Sequence, residues 1–323
     1  MTTDLLGAFA LIRGAAEAHM DKCDKLGLGW TEETVTEVAA PQGEPLVHFV
    51  PFNKVQEGKG VGADYLWWWL DKATDVAFGM LVQAKVLKWA GKKPTVDVNY
   101  KQGKQLGDLL KTAAQFQVAA MYAVYTGGQA SHAEHTMHNM HATDEELNGV
   151  GDGVDLAACV PCRRMTIGLI SAYQVEIGAE SLTDTAQTFL HEYIALEDLV
   201  DPDMNAGQVH DRNVPEMQPG ELLDWLMEPQ TGVLEIAKRI FAAVSAQRSL
   251  ALSLELADPM TVPGEPVFAE VPQDTGHFLG PYFAHFLRGL RKSAPPYVYQ
   301  AMTGGEVAAD VAQAVDGLVI VTV

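Results

Sequence analysis

Apolar and polar positions alternate along the first 125 residues in two distinct rhythms. MTTDLLGAFALIRGAAEAHM spaces its apolar residues for one-sided burial and predicts an amphipathic helix over about residues 3–22. A turn at KLGLGW follows, and Thr31 is placed to cap a second helix with Glu32 and Glu33 in its first turn, where the helix dipole favours acids. The rhythm then shortens. LVHFVPF, GADYLWWWLDK and AFGMLVQAKVLKW read as three strands, separated by the turn-rich EGKGVG and the polar DKATD. A helix over about residues 100–117 and a strand, VAAMYAVYT, complete the series. Helix, three strands, helix, strand is the order of an α/β fold in which a mixed sheet is flanked by helices.

Beyond that point the pattern changes. TGGQASHAEHTMHNMHATDEELNGVGDG keeps no period and predicts a loop or insertion. TAQTFLHEYIALEDLV, ELLDWLM, VLEIAKRIFAAVSAQRSLALSLELA and YFAHFLRGLRK all space apolar residues for helices, and the final GLVIVTV is a strand able to rejoin the sheet. The reading divides the chain into an α/β core at 1–130, a Gly/His-rich loop or insertion at 131–155, and a mainly helical, acidic region at 156–323.

Within the third strand, Gln83 and Lys85 are two residues apart, so the period of a strand places both on one face. A lysine inside an apolar run needs solvent or a carboxylate beside it, and Asp64, at the start of the preceding strand, is the expected neighbour. Glu32 and Glu33 precede both. Acids followed by an amide and a lysine suit phosphodiester hydrolysis, which must hold a cation, make a nucleophile from water and neutralise developing charge.

In this order and setting the residues resemble the PD-(D/E)XK phosphodiesterase superfamily, the restriction-endonuclease-like fold, in the variant where glutamine replaces the second acid. The resemblance spans about residues 20–125. It implies that Asp64 is the principal Mg²⁺ ligand, with Mn²⁺ able to substitute. Gln83 would be a carbonyl ligand or water positioner, and Lys85 would orient the attacking water and stabilise the pentavalent phosphate. Glu33, or Glu32 beside it, would complete the metal's surroundings. The helix after the third strand often adds a polar residue in that family, and Gln102 and Gln105 are candidates. Two departures stand out: Gln83 brings no charge, and Ala63 replaces the proline before the aspartate. GAD, the tryptophan strand and QAK together also resemble a group of uncharacterised bacterial proteins, a likeness that implies no activity.

Charge complicates this picture. The net charge of −20 opposes nonspecific nucleic-acid binding. It is unevenly spread, since residues 1–132 hold 13 Lys+Arg against 14 Asp+Glu and residues 133–323 hold 9 against 28. Residues 81–111 carry seven lysines and two acids, so a basic stretch begins on the candidate strand. Three cysteines are too few for a disulfide framework and fit a reducing, cytoplasmic setting. No segment offers the roughly 20-residue apolar run of a membrane span, and no membrane partner is expected.

Other features weigh less. Three consecutive tryptophans, Trp67 to Trp69, could stack on bases, but on a strand they alternate faces and at least one or two belong to the core. His132, His135, His138 and His141 with Cys159 and Cys162 would allow a zinc site to be drawn, yet no second CxxC accompanies them and zinc is not expected. No P-loop, GxSxG, GxGxxG or HExxH pattern occurs. The expectation is a Mg²⁺-dependent endonuclease acting on nucleic acid, DNA first, in bacterial defence or genome processing. The alternative is a noncatalytic interaction protein that keeps a nuclease-like fold. In either case the acidic C-terminal region is a candidate surface for a protein partner or a homo-oligomer.

Overall fold

The computed structural model describes residues 4–52, 62–90, 93–98, 104–128, 131, 163–172, 175, 193–204, 231–245, 255–256, 268–270 and 289–323. Helix α1 (Leu5–Lys25) starts where the Asp4 carboxylate accepts the Gly7 N–H at 2.7 Å. It buries Ala8, Phe9, Ile12, Ala16 and Met20, the one-sided stripe expected of its sequence. Thr31 caps α2 (Glu32–Ala39) by accepting the Thr34 N–H, and a 3₁₀ turn over Ala40–Gly43 leads toward the sheet.

The strands are β1 (Val47–Pro51), β2 (Tyr65–Leu70), β3 (Ala77–Ala90), β4 (Lys93–Val96), β5 (Ala119–Tyr125), β6 (Ile167–Ser171), β7 (Ile194–Ala195), β8 (Glu255–Leu256), β9 (Phe268–Glu270), β10 (Leu290–Arg291) and β11 (Gly317–Thr322). Nine of them form one open, mixed sheet in the order β1-β11-β2-β3-β5-β6-β7, with β4 and β10 pairing opposite ends of β3; β8 and β9 pair separately. The α/β class read from the sequence is therefore present. β4 and helix α3 (Lys104–Phe116) lie between β3 and β5 in the chain, and β3 and β5 run parallel, as a crossover connection allows. The remaining described helices are α4 (Gly232–Ser245), α5 (Pro296–Met302) and α6 (Ala309–Ala314).

All three tryptophans of β2 are buried, and strand alternation divides them between the faces. Trp69 packs on Phe9 of α1 with ring centroids 5.7 Å apart, whereas Trp68 Nε1 donates to Tyr297 of α5 at 3.1 Å. Their position inside the core leaves none of them a surface for stacking on bases.

Three segments depart from expectation. Ile194–Ala195, Glu255–Leu256 and Leu290–Arg291, read as helical, are strands paired with β6, β9 and β3, and residues 196–200 form turns. Helical periodicity in a short apolar run does not fix its state, because an unpaired sheet edge nearby offers the backbone a competing set of hydrogen bonds. The C-terminal strand does rejoin the sheet, antiparallel to β1 and parallel to β2. Among the described residues no helix is long and apolar enough to cross a membrane. The His/Cys segment containing His132, His135, His138, His141, Cys159 and Cys162 lies outside the described residues, as does Gln102.

Candidate active site

Asp64 stands immediately before β2. Its N–H donates to Val82 of β3 at 3.0 Å, and its carbonyl accepts from the Asp316 N–H at 2.7 Å, so its backbone is fixed between β3 and the entry to β11. The approach to it is tight. Gly62 has φ +72°, and a Cβ there would lie 2.4 Å from the Gln105 carbonyl oxygen and 2.5 Å from Leu109 N, so only glycine lets this loop rest on the first turns of α3.

Gln83 and Lys85 project from β3 with only 4% and 8% of their surfaces exposed. The Gln83 side-chain amide donates to Asp64 Oδ2 at 2.5 Å and to the Ala84 carbonyl at 3.2 Å, while the Ala84 N–H donates to the same Oδ2 at 2.8 Å. Gln105 of α3 closes the arrangement, donating to Gln83 Oε1 at 3.0 Å and accepting from Lys85 Nζ at 2.6 Å. A continuous chain of hydrogen bonds thus runs from Lys85 through two amides to Asp64. The lysine found on the same strand as the glutamine is held by Gln105, one of the two polar residues the resemblance offered on the following helix.

Helix α2 brings the glutamates. Thr36 Oγ1 donates to the Glu32 carbonyl at 2.8 Å and shares a buried 2.5 Å hydrogen bond with Tyr125 of β5, which ties the helix to the sheet one turn beyond Glu32 and Glu33. Both glutamates act on the site through charge. Burial, with Glu33 and Asp316 adding to it, pushes the Asp64 carboxyl up to about 7, against the Ala84 N–H and Lys85. Burial lowers Lys85 below the ordinary lysine range despite the opposing pull of Asp64, Glu32, Asp97 and Glu33. A carboxyl that titrates near neutrality beside a lysine with weakened hold on its proton is the kind of pairing found where chemistry is done.

Among the described residues, no three His, Cys, Asp or Glu side chains form a group that could hold a metal ion. Mg²⁺ needs fewer protein ligands, since it binds through one or two carboxylates and keeps several waters. Asp64 suits it, with Glu33 near enough to add charge. Gln83 presents its amide nitrogen to Asp64, which orders the carboxylate, and its carbonyl oxygen accepts one hydrogen bond from Gln105. Asp316 and Asp97 were not found from the sequence. Asp316 directly precedes the apolar GLVIVT run, but nothing in that run says that its neighbour is β2.

A second polar cluster lies elsewhere. Arg13 pairs with Glu17 at 3.0 Å and Glu197 at 2.8 Å, Arg164 with Asp198 at 2.6 Å and Asp201 at 2.7 Å, and Arg239 with Glu235 at 3.0 Å. Arg239 also donates to the carbonyls of Asp198, Asp201 and Met204, and Thr166 donates to Glu17 at 2.6 Å. These bonds fasten residues 193–204 to α1 and α4.

No curated protein and no solved structure matches the chain. The sequence does match one family across nearly the whole of the sheet and its flanking helices, residues 11–321, and the protein belongs to that family, DUF6615, a family of unknown function.

Proposed function

We propose that the protein is a Mg²⁺-dependent endonuclease acting on DNA, built on a restriction-endonuclease-like core. The observation that carries this reading is the single hydrogen-bonded chain of Asp64, Gln83, Gln105 and Lys85, with Glu33 close enough to act on Asp64. Support also comes from the element order, since β2 and β3 are antiparallel, α3 follows, and β5 returns parallel to β3.

In this reading Asp64 holds the cation, and Glu33 strengthens the negative field around it. Mg²⁺ would supply charge neutralisation at the scissile phosphate and make water more acidic. Lys85 orients the attacking water and offsets charge gathering on the phosphate oxygens, while Gln105 fixes its amine. Gln83 and the Ala84 N–H hold one carboxylate oxygen of Asp64, which limits the ways the group can turn. Because Asp64 titrates at about 7, its cation-holding form prevails above that pH, and cleavage should rise as pH increases through 7. The acidic C-terminal region would then recruit a partner, form an oligomer or restrain the site.

The test is cleavage of plasmid, linear duplex and single-stranded DNA and of RNA with Mg²⁺ or Mn²⁺, comparing the wild type with Asp64→Ala and Lys85→Ala. Metal-dependent cutting that falls by about 10²–10³-fold or more in both variants is expected. Absence of cutting, or variants that cut as the wild type does, would reject the reading. A noncatalytic role draws support from one feature, that Gln105 satisfies both Gln83 and Lys85, and it predicts the absence of cutting.

A further inference from the structure

We infer that the outer face of the ribbon formed by the end of β3 and by β4 seats the phosphate backbone of duplex DNA and leads it to the Asp64 site. This rests on the nuclease reading above and names the surface and the form of nucleic acid that the reading calls for.

The architecture comes first. β3 outlasts its neighbours: β2 pairs with it as far as Val82 and β5 as far as Val86, whereas Leu87 to Ala90 pair with β4. The strand that carries Gln83 and Lys85 thus continues, past the place where they lie, as a two-stranded ribbon. At the usual rise of a strand its four residue pairs extend about 13 Å.

The ribbon sorts its residues by face. Leu87 and Val96 are level and buried, and Trp89, two residues along, packs on the core. Lys88 and Thr95 are level and both exposed, and Thr95 Oγ1 donates to the Lys88 carbonyl at 3.2 Å. The apolar face is the anchor and so decides which side looks outward. Asp97, the first acid past β4, falls at the base of the ribbon, where its charge acts on Lys85.

Charge fits the same surface. Residues 86–96 hold Lys88, Lys92 and Lys93 and no acid, in a chain with 42 Asp+Glu and 22 Lys+Arg. Beyond Lys85, α3 opens with the exposed Lys104 beside Gln105 and shows Lys111 two turns on, with Asp108 half-buried between them. A protein of net charge −20 repels a phosphate polymer at a distance, so contact depends on lysines within a screening length of the backbone. Lysine and threonine are residue types that meet phosphate oxygens without reading bases. Single strands are held instead by exposed aromatic faces on which bases stack. Here Trp67, Trp68 and Trp69 are buried and Trp89 packs on the core, which favours the duplex, whose bases are already stacked on one another.

Anisotropy of a fluorescein-labelled DNA duplex, and of one of its strands alone, tests this in EDTA, where metal-dependent cutting is stopped. Full-length wild type is compared with Lys88→Ala/Lys93→Ala and with Lys25→Ala/Lys72→Ala. The second pair removes the same charge from exposed lysines at the end of α1 and in the turn at the other end of β3. Lys88→Gln stands in for the ribbon pair should circular dichroism show that pair unfolded. The duplex should bind more tightly than the single strand. The ribbon variant should bind it about 10–60-fold more weakly at about 0.1 M salt, with the slope of log K against log salt smaller by about 2, or by about 1 for Lys88→Gln, and the control near the wild type. A ribbon variant with wild-type affinity and slope, or a wild type that prefers the single strand, would overturn the ribbon's role; cutting of DNA by that wild type with Mg²⁺ would leave the nuclease reading standing. Binding through the ribbon without cutting would keep the ribbon and remove the nuclease. A wild type that neither binds nor cuts would overturn both.

Discussion

The Asp64 site and the arginine cluster are both polar islands in an apolar fold, and they are built on opposite principles. In the cluster each carboxylate, Glu17, Glu197, Asp198, Asp201 and Glu235, directly meets an arginine within 3.0 Å. At the site, Asp64 is met by an amide and a backbone N–H, and Lys85 gives its hydrogen bond to Gln105. Matched charges hold elements together. The Asp64 carboxylate is held chiefly by neutral donors, with Lys85 joined to it through two amides. The contrast separates two kinds of polar site more clearly than burial does, since both places are shielded from water.

The largest effect should come from breaking the matched cluster. Arg164→Met leaves Asp198 and Asp201 in a shielded place without their shared cation and should cost about 3–5 kcal/mol in urea unfolding, with site chemistry affected only through loss of folded protein. A small effect there would mean that the pairs are solvated and that the comparison fails. Next comes Gly62→Ala, which forces a Cβ toward the Gln105 carbonyl from a left-handed backbone. It should cost about 2 kcal/mol and displace the Asp64 loop from α3, so cleavage per folded molecule should fall as well.

Asp64→Asn sharpens the comparison because its sign is reversed. The folded-state pKa of Asp64 is raised from 3.8 to about 7, so the folded protein binds the proton more tightly than the unfolded chain. The resulting stabilisation is fully present below about pH 4 and is lost as pH rises through 7. The asparagine variant should therefore lack this decline and, above pH 7, exceed the wild type by about 1–2 kcal/mol, a figure reduced to allow for the partly exposed side chain. Thermal melts at pH 5 and pH 8 measure it, and a variant less stable than the wild type at pH 8 would show that Asp64 is already compensated. The smallest change should follow Thr36→Val, which removes the buried bond to Tyr125 and costs about 1 kcal/mol. Its informative readout is cleavage, expected to fall because α2 no longer holds Glu33 in place.

Much of the local structure is legible without coordinates. The cap at Thr31, the long β3 and the shared face of Gln83 and Lys85 all follow from residue type and a period that neighbours in sequence define. Ile194–Ala195 and Leu290–Arg291 show where that reasoning stops: a run of apolar residues is compatible with a helix until a sheet edge competes for its backbone. Gln105 is an intermediate case. A sequence reader can place it at the start of a helix after the lysine strand, but whether it faces Lys85 depends on how α3 crosses the sheet.

The sequence by itself determined the two opening helices, the first three strands, the α/β class and the group of residues Asp64, Gln83, Lys85, Glu32 and Glu33, because these rest on short-range periodicity and on the chemistry of each side chain. Only the tertiary structure decided that β11 lies between β1 and β2, that Asp316 stands level with Asp64, and that Gln83 and Gln105 link Lys85 to Asp64 by hydrogen bonds. Strand neighbours are chosen by the burial of whole faces and the closing of backbone hydrogen bonds across more than 250 residues of chain, and no local pattern carries that information.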